Sequence, residues 1–205
     1  EVRGFTDQAK LVANNITVLR RAATDLAMTD TVAVEDVEAL HRALLPEEHH
    51  GLRHVQNWIG GSNWHPLDAD FVPPAPDHVP ELMADLLRYL NGATHSPLLQ
   101  AALVHAQFET IHPFTDGNGR VGRALIHTVL ARRGLTTTAV LPVSLVLATL
   151  RDHYVAGLTA FRHTAPPGSP QAVQGMATWL EVFIGAAGHA AAQSRGLVTQ
   201  INDLR

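Results

Sequence analysis

The chain has 205 residues, of which 46% are hydrophobic and 17% charged. That is enough for one domain with a sizeable core, or at a stretch two small ones, and it excludes a disordered chain. A formal net charge of −4 excludes a general pull on nucleic acid or anionic membrane, and the lack of cysteine removes disulfides, thiolate zinc sites and thiol nucleophiles.

Apolar residues recurring at three- and four-residue spacing predict helices over about 7–27, 33–44, 79–91, 97–110, 120–133, 144–162 and 171–198. The stretch from about 49 to 78 breaks the pattern. It holds Gly51, Gly60, Gly61, Pro66, Pro73, Pro74 and Pro76 with two of the three tryptophans, Trp58 and Trp64. A short hairpin pairing Val55–Ile59 with Ala69–Val72 is expected there. Two uses stay open: a covering loop packed by its own aromatics, or a flap that orders an extended peptide by edge-strand pairing. Ser96-Pro97 opens a helix as cap and first residue, with Leu99, Leu103 and Ala106 expected inward. Pro113 ends it near Ile111–His112. The next helix starts after Asn118-Gly119, carries Val121, Leu125 and Val129 on one stripe, and stops at Gly134. Arg132 and Arg133 in its last turn suit the helix dipole.

Between these helices lies His112-Pro113-Phe114-Thr115-Asp116-Gly117-Asn118-Gly119-Arg120-Val121-Gly122-Arg123. The first amides of a helix have no intrahelical partners, and flanking glycines let a backbone approach an oxyanion closely. Arg120 and Arg123, three apart, share a face near that end and suit a di- or triphosphate. Asp116 can supply the hard oxygen ligand of a phosphate-bound Mg²⁺. His112 can accept a proton near neutral pH. The turn lacks the Gly-Lys-Ser/Thr of a P-loop, and a helix rather than a strand precedes it, which excludes a dinucleotide-binding turn. Taken singly, a Gly-Asn-Gly turn is usually only a turn and a histidine before proline is more often structural. The complete ordered string argues for a site.

The string resembles the Fic family motif, H-P-F-x-[DE]-G-N-G-R-x-x-R, at every defined position. Gly51-Leu52-Arg53-His54-Val55-Gln56-Asn57-Trp58-Ile59-Gly60 with Phe71-Val72-Pro73-Pro74 resembles the flap of bacterial Fic proteins, and His105–Ile111 resembles the helix leading into the motif. Leu141–Ser144, Arg151–Tyr154 and Trp179–Phe183 resemble later landmarks, so the likeness covers about residues 10–190. It implies an all-α fold, a Fic-type helical bundle with a short β-hairpin flap. The expected organisation is a single domain over 1–205, with its core over about 50–160 and C-terminal helices over about 171–198.

The resemblance also implies an activity: transfer of AMP from ATP to a Ser, Thr or Tyr hydroxyl of a target protein. In it His112 is the base, Asp116 holds Mg²⁺, and Gly117, Asn118 and Gly119 cradle phosphate with their amides and the Asn118 side chain. Gly122 belongs to the same nucleotide site. Arg120 neutralises the departing pyrophosphate and Arg123 reaches the terminal phosphate. Phe114 anchors the loop in the core. Gly119 stands where the Doc-like branch carries lysine, which points to AMP transfer. Removal of AMP from a modified protein, other phosphoryl transfer at the same site, and a nucleotide-binding module without turnover are the alternatives.

The target would dock near the flap, about residues 55–72. Tyr154 and Leu158 are candidates for the base pocket or else a core helix face. His105 and Glu109 either orient the loop or are satisfied buried polar groups. The family's inhibitory pattern, [ST]-x-x-x-E-[GN], has no complete match, since Thr31–Asp36 ends in Asp. That helix was removed upstream, is supplied by an antitoxin, or is absent. The chain opens on Glu1 rather than methionine, so preceding sequence is expected. No apolar run reaches the roughly 18 residues of a membrane helix, and Glu1-Val2-Arg3-Gly4 is no signal peptide. The expected location is cytoplasmic, with no membrane and no nucleic-acid partner for this segment.

Overall fold

The computed structural model describes residues 24–47, 49–92, 94–136 and 142–203. Most of the predicted helix over 7–27 lies outside them. Within them run seven α-helices: α1 (Val34–Leu44), α2 (Val79–Gly92), α3 (Pro97–Ile111), α4 (Asn118–Arg132), α5 (Val143–Thr149), α6 (Arg151–Phe161) and α7 (Pro170–Asp203). An all-α fold follows, as expected. The described residues form no ladder of strands, only one antiparallel bridge between Ile59 and Phe71.

The antiparallel pair α3 and α4 is the centre, and it makes the most extensive interhelical contact. Phe108 and Ile111 of α3 and Val121, Leu125, Ile126, Val129 and Leu130 of α4 are buried. The predicted α4 stripe therefore faces the core. The α3 stripe holds only at Ala106, because Leu99 and Leu103 are only half-buried while Ala101, Ala102, Val104 and Phe108 are buried. A helix apolar on nearly every side carries no directional pattern, and contacts with α2, α4 and α7 choose its faces. Trp179 on α7 is buried and donates its indole N–H to the Ala102 carbonyl at 2.9 Å, which ties the long last helix to α3.

Ser96 precedes Pro97 as predicted, although its hydroxyl makes no cap bond. At the same end of the helix pair, Gly134 takes φ +71 and ends α4. Arg132 there donates to the carbonyls of Leu26, Thr29 and Asp30, and Arg133 to His95 O. The predicted helix over 144–162 is two helices, broken at Leu150 (φ −95, ψ 40). Thr149 Oγ1 bonds back to the Leu145 carbonyl at 2.9 Å, the kind of competing bond that bends a helix.

The expected hairpin is reduced to its single bridge. Just ahead of its first arm Arg53 gives its N–H to Pro113 O at 2.8 Å on the motif loop, and within the arm the Asn57 side chain bonds the same loop. On the second arm, Pro73 and Pro74 have no N–H to give. Gly60 and Gly61 take φ +76 and +69, and the chain bulges between the bridged residues. Trp64 at that tip is 91% exposed, whereas Trp58 is half-buried and donates its indole N–H to Ser62 O at 2.7 Å within the loop.

Candidate active site

The site is built where α3 ends. His112 N–H closes on the Phe108 carbonyl at 2.9 Å, and His112 itself turns left-handed (φ 50, ψ 60). Among the described residues it is the only non-glycine with positive φ. Such a conformation costs an L-residue about 1–2 kcal/mol, so neighbours must over-determine it. Pro113 bars continued helix. From the 51–59 segment, Arg53 Nε donates to His112 O at 2.8 Å, and Asn57 Nδ2 donates to His112 O at 3.4 Å and Phe114 O at 3.0 Å.

The turn is then locked from both sides. Phe114 is fully buried, as expected, and stacks on His41 of α1 with ring centroids 4.0 Å apart and planes 9° apart. His41 donates Nε2–H to the Asp116 carbonyl at 3.0 Å. Asn118 folds its amide back onto one residue: Oδ1 accepts from Phe114 N–H at 2.8 Å and Nδ2 donates to Phe114 O at 2.7 Å. Its side chain thus braces the loop, and what Asn118 can offer an anion is its backbone amide. Gly117 takes φ +79, and a Cβ there would lie 2.7 Å from Leu45 Cδ1.

At the head of α4, the amides of Asn118 and Gly119 lie at the open helix end. A Cβ on Gly119 would come within 3.0 Å of Arg123 Nη1, so glycine lets that guanidinium lie over the first turn. Arg120 Nη2 stands 3.6 Å from Asp116 Oδ2, and Asp116 Oδ1 accepts the Gly117 N–H at 2.6 Å. Asp116, Gly117, Asn118, Gly119, Arg120 and Arg123 are thus brought to one place. Gly122 sits one turn on and is buried; the space of its missing Cβ is taken by Glu109 Oε1.

The Asp116 side chain is 68% exposed beside this cradle. Among the described residues no cluster of three or more His, Cys, Asp or Glu could cage a metal. A single exposed carboxylate fits Mg²⁺ of the kind that keeps several waters and arrives on phosphate.

Behind the loop lies a buried polar group. Burial, aided by the charges of Arg162 and Arg53, pushes the His112 imidazole down to about 4, against the pull of the Glu109 carbonyl and Asp116. The ring is therefore neutral at pH 7. Its Nδ1 is buried without a good hydrogen bond, 3.9 Å from Glu109 Oε2. Burial pushes Glu109 up to about 7 despite Arg123 and Arg162. Glu109 Oε1 and His105 Nδ1 have no hydrogen-bond partner, so these are not fully satisfied polar groups. His105 Nε2 lies 3.0 Å from the Tyr154 hydroxyl, and burial holds its ring down to about 3. Tyr154 spends its hydroxyl there and Leu158 is buried, so the pair behaves as a core helix face.

Sequence reading passed over His41, Arg53 and Asn57 as site residues. For His41 a signal existed: it shares the stripe of Val37, Leu40 and Leu44, an apolar position where a polar ring needs a partner. Arg53 and Asn57 lie in an aperiodic segment that offers no such cue.

The family description "Fic/DOC family" matches residues 31–130. A protein adenylyltransferase of Caenorhabditis briggsae is 31% identical over 132 residues, 61% of this chain and 23% of that protein. The Drosophila melanogaster protein adenylyltransferase Fic is 36% identical over 110 residues, 50% of this chain and 20% of that protein. The chain thus spans no more than about a quarter of these relatives. A crystal structure of a Fic family protein from Desulfovibrio desulfuricans superposes with a TM-score of 0.70 and 27% identity, covering 96% of this chain and 56% of that one. Motif, fold and family match agree, and this chain carries a domain of the Fic/DOC family.

Proposed function

We propose that the chain transfers AMP from ATP to a hydroxyl of a protein substrate and releases pyrophosphate. One observation carries this reading: a neutral imidazole at the strained end of α3 lies one turn from an anion cradle at the head of α4. The hydroxyl oxygen attacks the α-phosphorus, the bond to the pyrophosphate oxygen breaks, and the hydroxyl proton passes to His112. Because Nδ1 is buried, Nε2 is the nitrogen left to accept it. The amides of Asn118 and Gly119 hold phosphate oxygens beside Gly117, whose own N–H is given to Asp116 Oδ1; Arg120 neutralises the leaving pyrophosphate, and Arg123 holds the terminal phosphate. Asp116 would hold Mg²⁺, whose charge would offset that of the phosphates. Catalysis of this kind is mainly positioning and charge neutralisation. The substrate hydroxyl is delivered past residues 55–72, which touch the His112 loop through the Asn57 side chain. Adenylyltransferase relatives support the same reading.

The test is incubation of a cell lysate with ATP labelled at the α or the γ position. Label on protein from the α position alone is expected, and it should vanish in His112→Ala while ATP binding persists. Label from γ alone would mean phosphate transfer. Undiminished labelling by His112→Ala would remove the assigned base.

A further inference from the structure

Arg53 is 3% exposed, yet no carboxylate is among its hydrogen-bond partners. Its guanidinium is spent on backbone carbonyls from three separate parts of the chain. Nε reaches His112 O at 2.8 Å, Nη2 reaches Pro74 O at 2.5 Å and Ile111 O at 3.3 Å, and Nη1 reaches Val55 O at 3.2 Å. Its own N–H reaches Pro113 O at 2.8 Å. Burying a charge without a counter-charge is unfavourable unless its donors are met. The planar fork meets four carbonyls at once, which a lysine ammonium cannot do. Two of them, on Ile111 and His112, belong to the helix end that turns left-handed. The other two, on Val55 and Pro74, flank the segment closed by the Ile59–Phe71 bridge.

We propose that Arg53 is a positioning residue that clamps the 55–74 flap segment to the backbone of His112 and so sets the register between the docking segment and the base. Asn57 is the lighter half of the clamp, with its own bonds to His112 O and Phe114 O. Arg162 adds a third tie: its guanidinium carbon lies 4.1 Å from the Phe71 ring centroid while Nη2 donates to Glu109 O at 2.9 Å. Its catalytic half rests on the proposed AMP transfer; its structural half does not.

Arg53→Lys keeps the charge and removes the fork. Arg132→Lys is the control, since Arg132 also bonds three carbonyls but at the far end of α4. Two readouts need no activity: the backbone carbon shifts of His112 by NMR, and amide hydrogen exchange of Ile59 and Phe71. Arg53→Lys is expected to erase the left-handed signature at His112 and to speed exchange at both amides, with Arg132→Lys leaving both as in the wild type. Asn57→Ala should move them in the same sense by less, and it serves if Arg53→Lys does not fold. Where transfer is detected, kcat should fall by about 100-fold with the KM for ATP unchanged within about twofold. An Arg53→Lys protein with wild-type His112 shifts and exchange, or an equal response from Arg132→Lys, overturns the clamp. The clamp signature without any labelling in the wild type leaves the positioning intact and removes the AMP-transfer reading instead.

Discussion

Gly122→Ala pits two effects against each other. In a helix interior alanine is favoured over glycine by about 1 kcal/mol. Against that, a Cβ at residue 122 would overlap Glu109 Oε1 and come within 3.0 Å of Phe108 Cδ1 and 3.2 Å of His105 Nδ1. Phe108 and His105 are fully buried and cannot step aside. Forcing an extra carbon into such a core costs about 1–3 kcal/mol. Glu109 Oε1 has no hydrogen-bond partner, so shifting it adds no lost bond to this. The overlap wins, and the variant should lose about 1 kcal/mol net in urea denaturation at pH 7. For a chain of this size that is a fall of about 2–4 °C in Tm. Alanine at Gly185 or Gly188 of α7, where a Cβ would meet nothing within 4 Å, should instead gain about 0.5–1 kcal/mol. Adding Glu109→Ala to Gly122→Ala should recover part of the loss. A Gly122→Ala protein as stable as wild type would refute this seating of Glu109. Weakened nucleotide binding at unchanged stability would instead return Gly122 to the ligand.

Two further outcomes are expected. Asp116→Ala should remove the Mg²⁺ dependence of transfer together with the activity, and a metal titration that keeps its wild-type midpoint would put the ion elsewhere. Acid should destabilise the fold. Burial holds His105, His112 and His127 at about 3, 4 and 4 against an ordinary 6.5, so between pH 6.5 and 4 the unfolded chain binds protons that the folded chain refuses. Glu109 opposes this, because its folded carboxyl keeps a proton up to about 7 and its contribution is lost as pH rises from 4.5. Three histidines outweigh one carboxyl. His127→Gln, remote from the motif, should flatten the acid slope of the urea midpoint by on the order of 3 kcal/mol between pH 6.5 and 4, and an unchanged slope would count against that burial.

The order of residues 112–123 by itself determined where the candidate site would form, because its elements are local: a proline that stops one helix, glycines that bend the turn, and a helix start with open amides. The helices around it were legible for the same reason, since their spacing records a face turned to the core. Contacts distant in sequence were decided only by the tertiary structure. The apolar circumference of α3 hid which sides face inward, and neighbouring helices chose them. Glycine at 122 reads as ligand space until Glu109 fills it, and asparagine at 118 reads as a ligand until its amide closes on Phe114. Arg53 lies 59 residues from His112, and a hydrogen bond from a side chain to a carbonyl that far along the chain leaves no periodic trace in the amino-acid order.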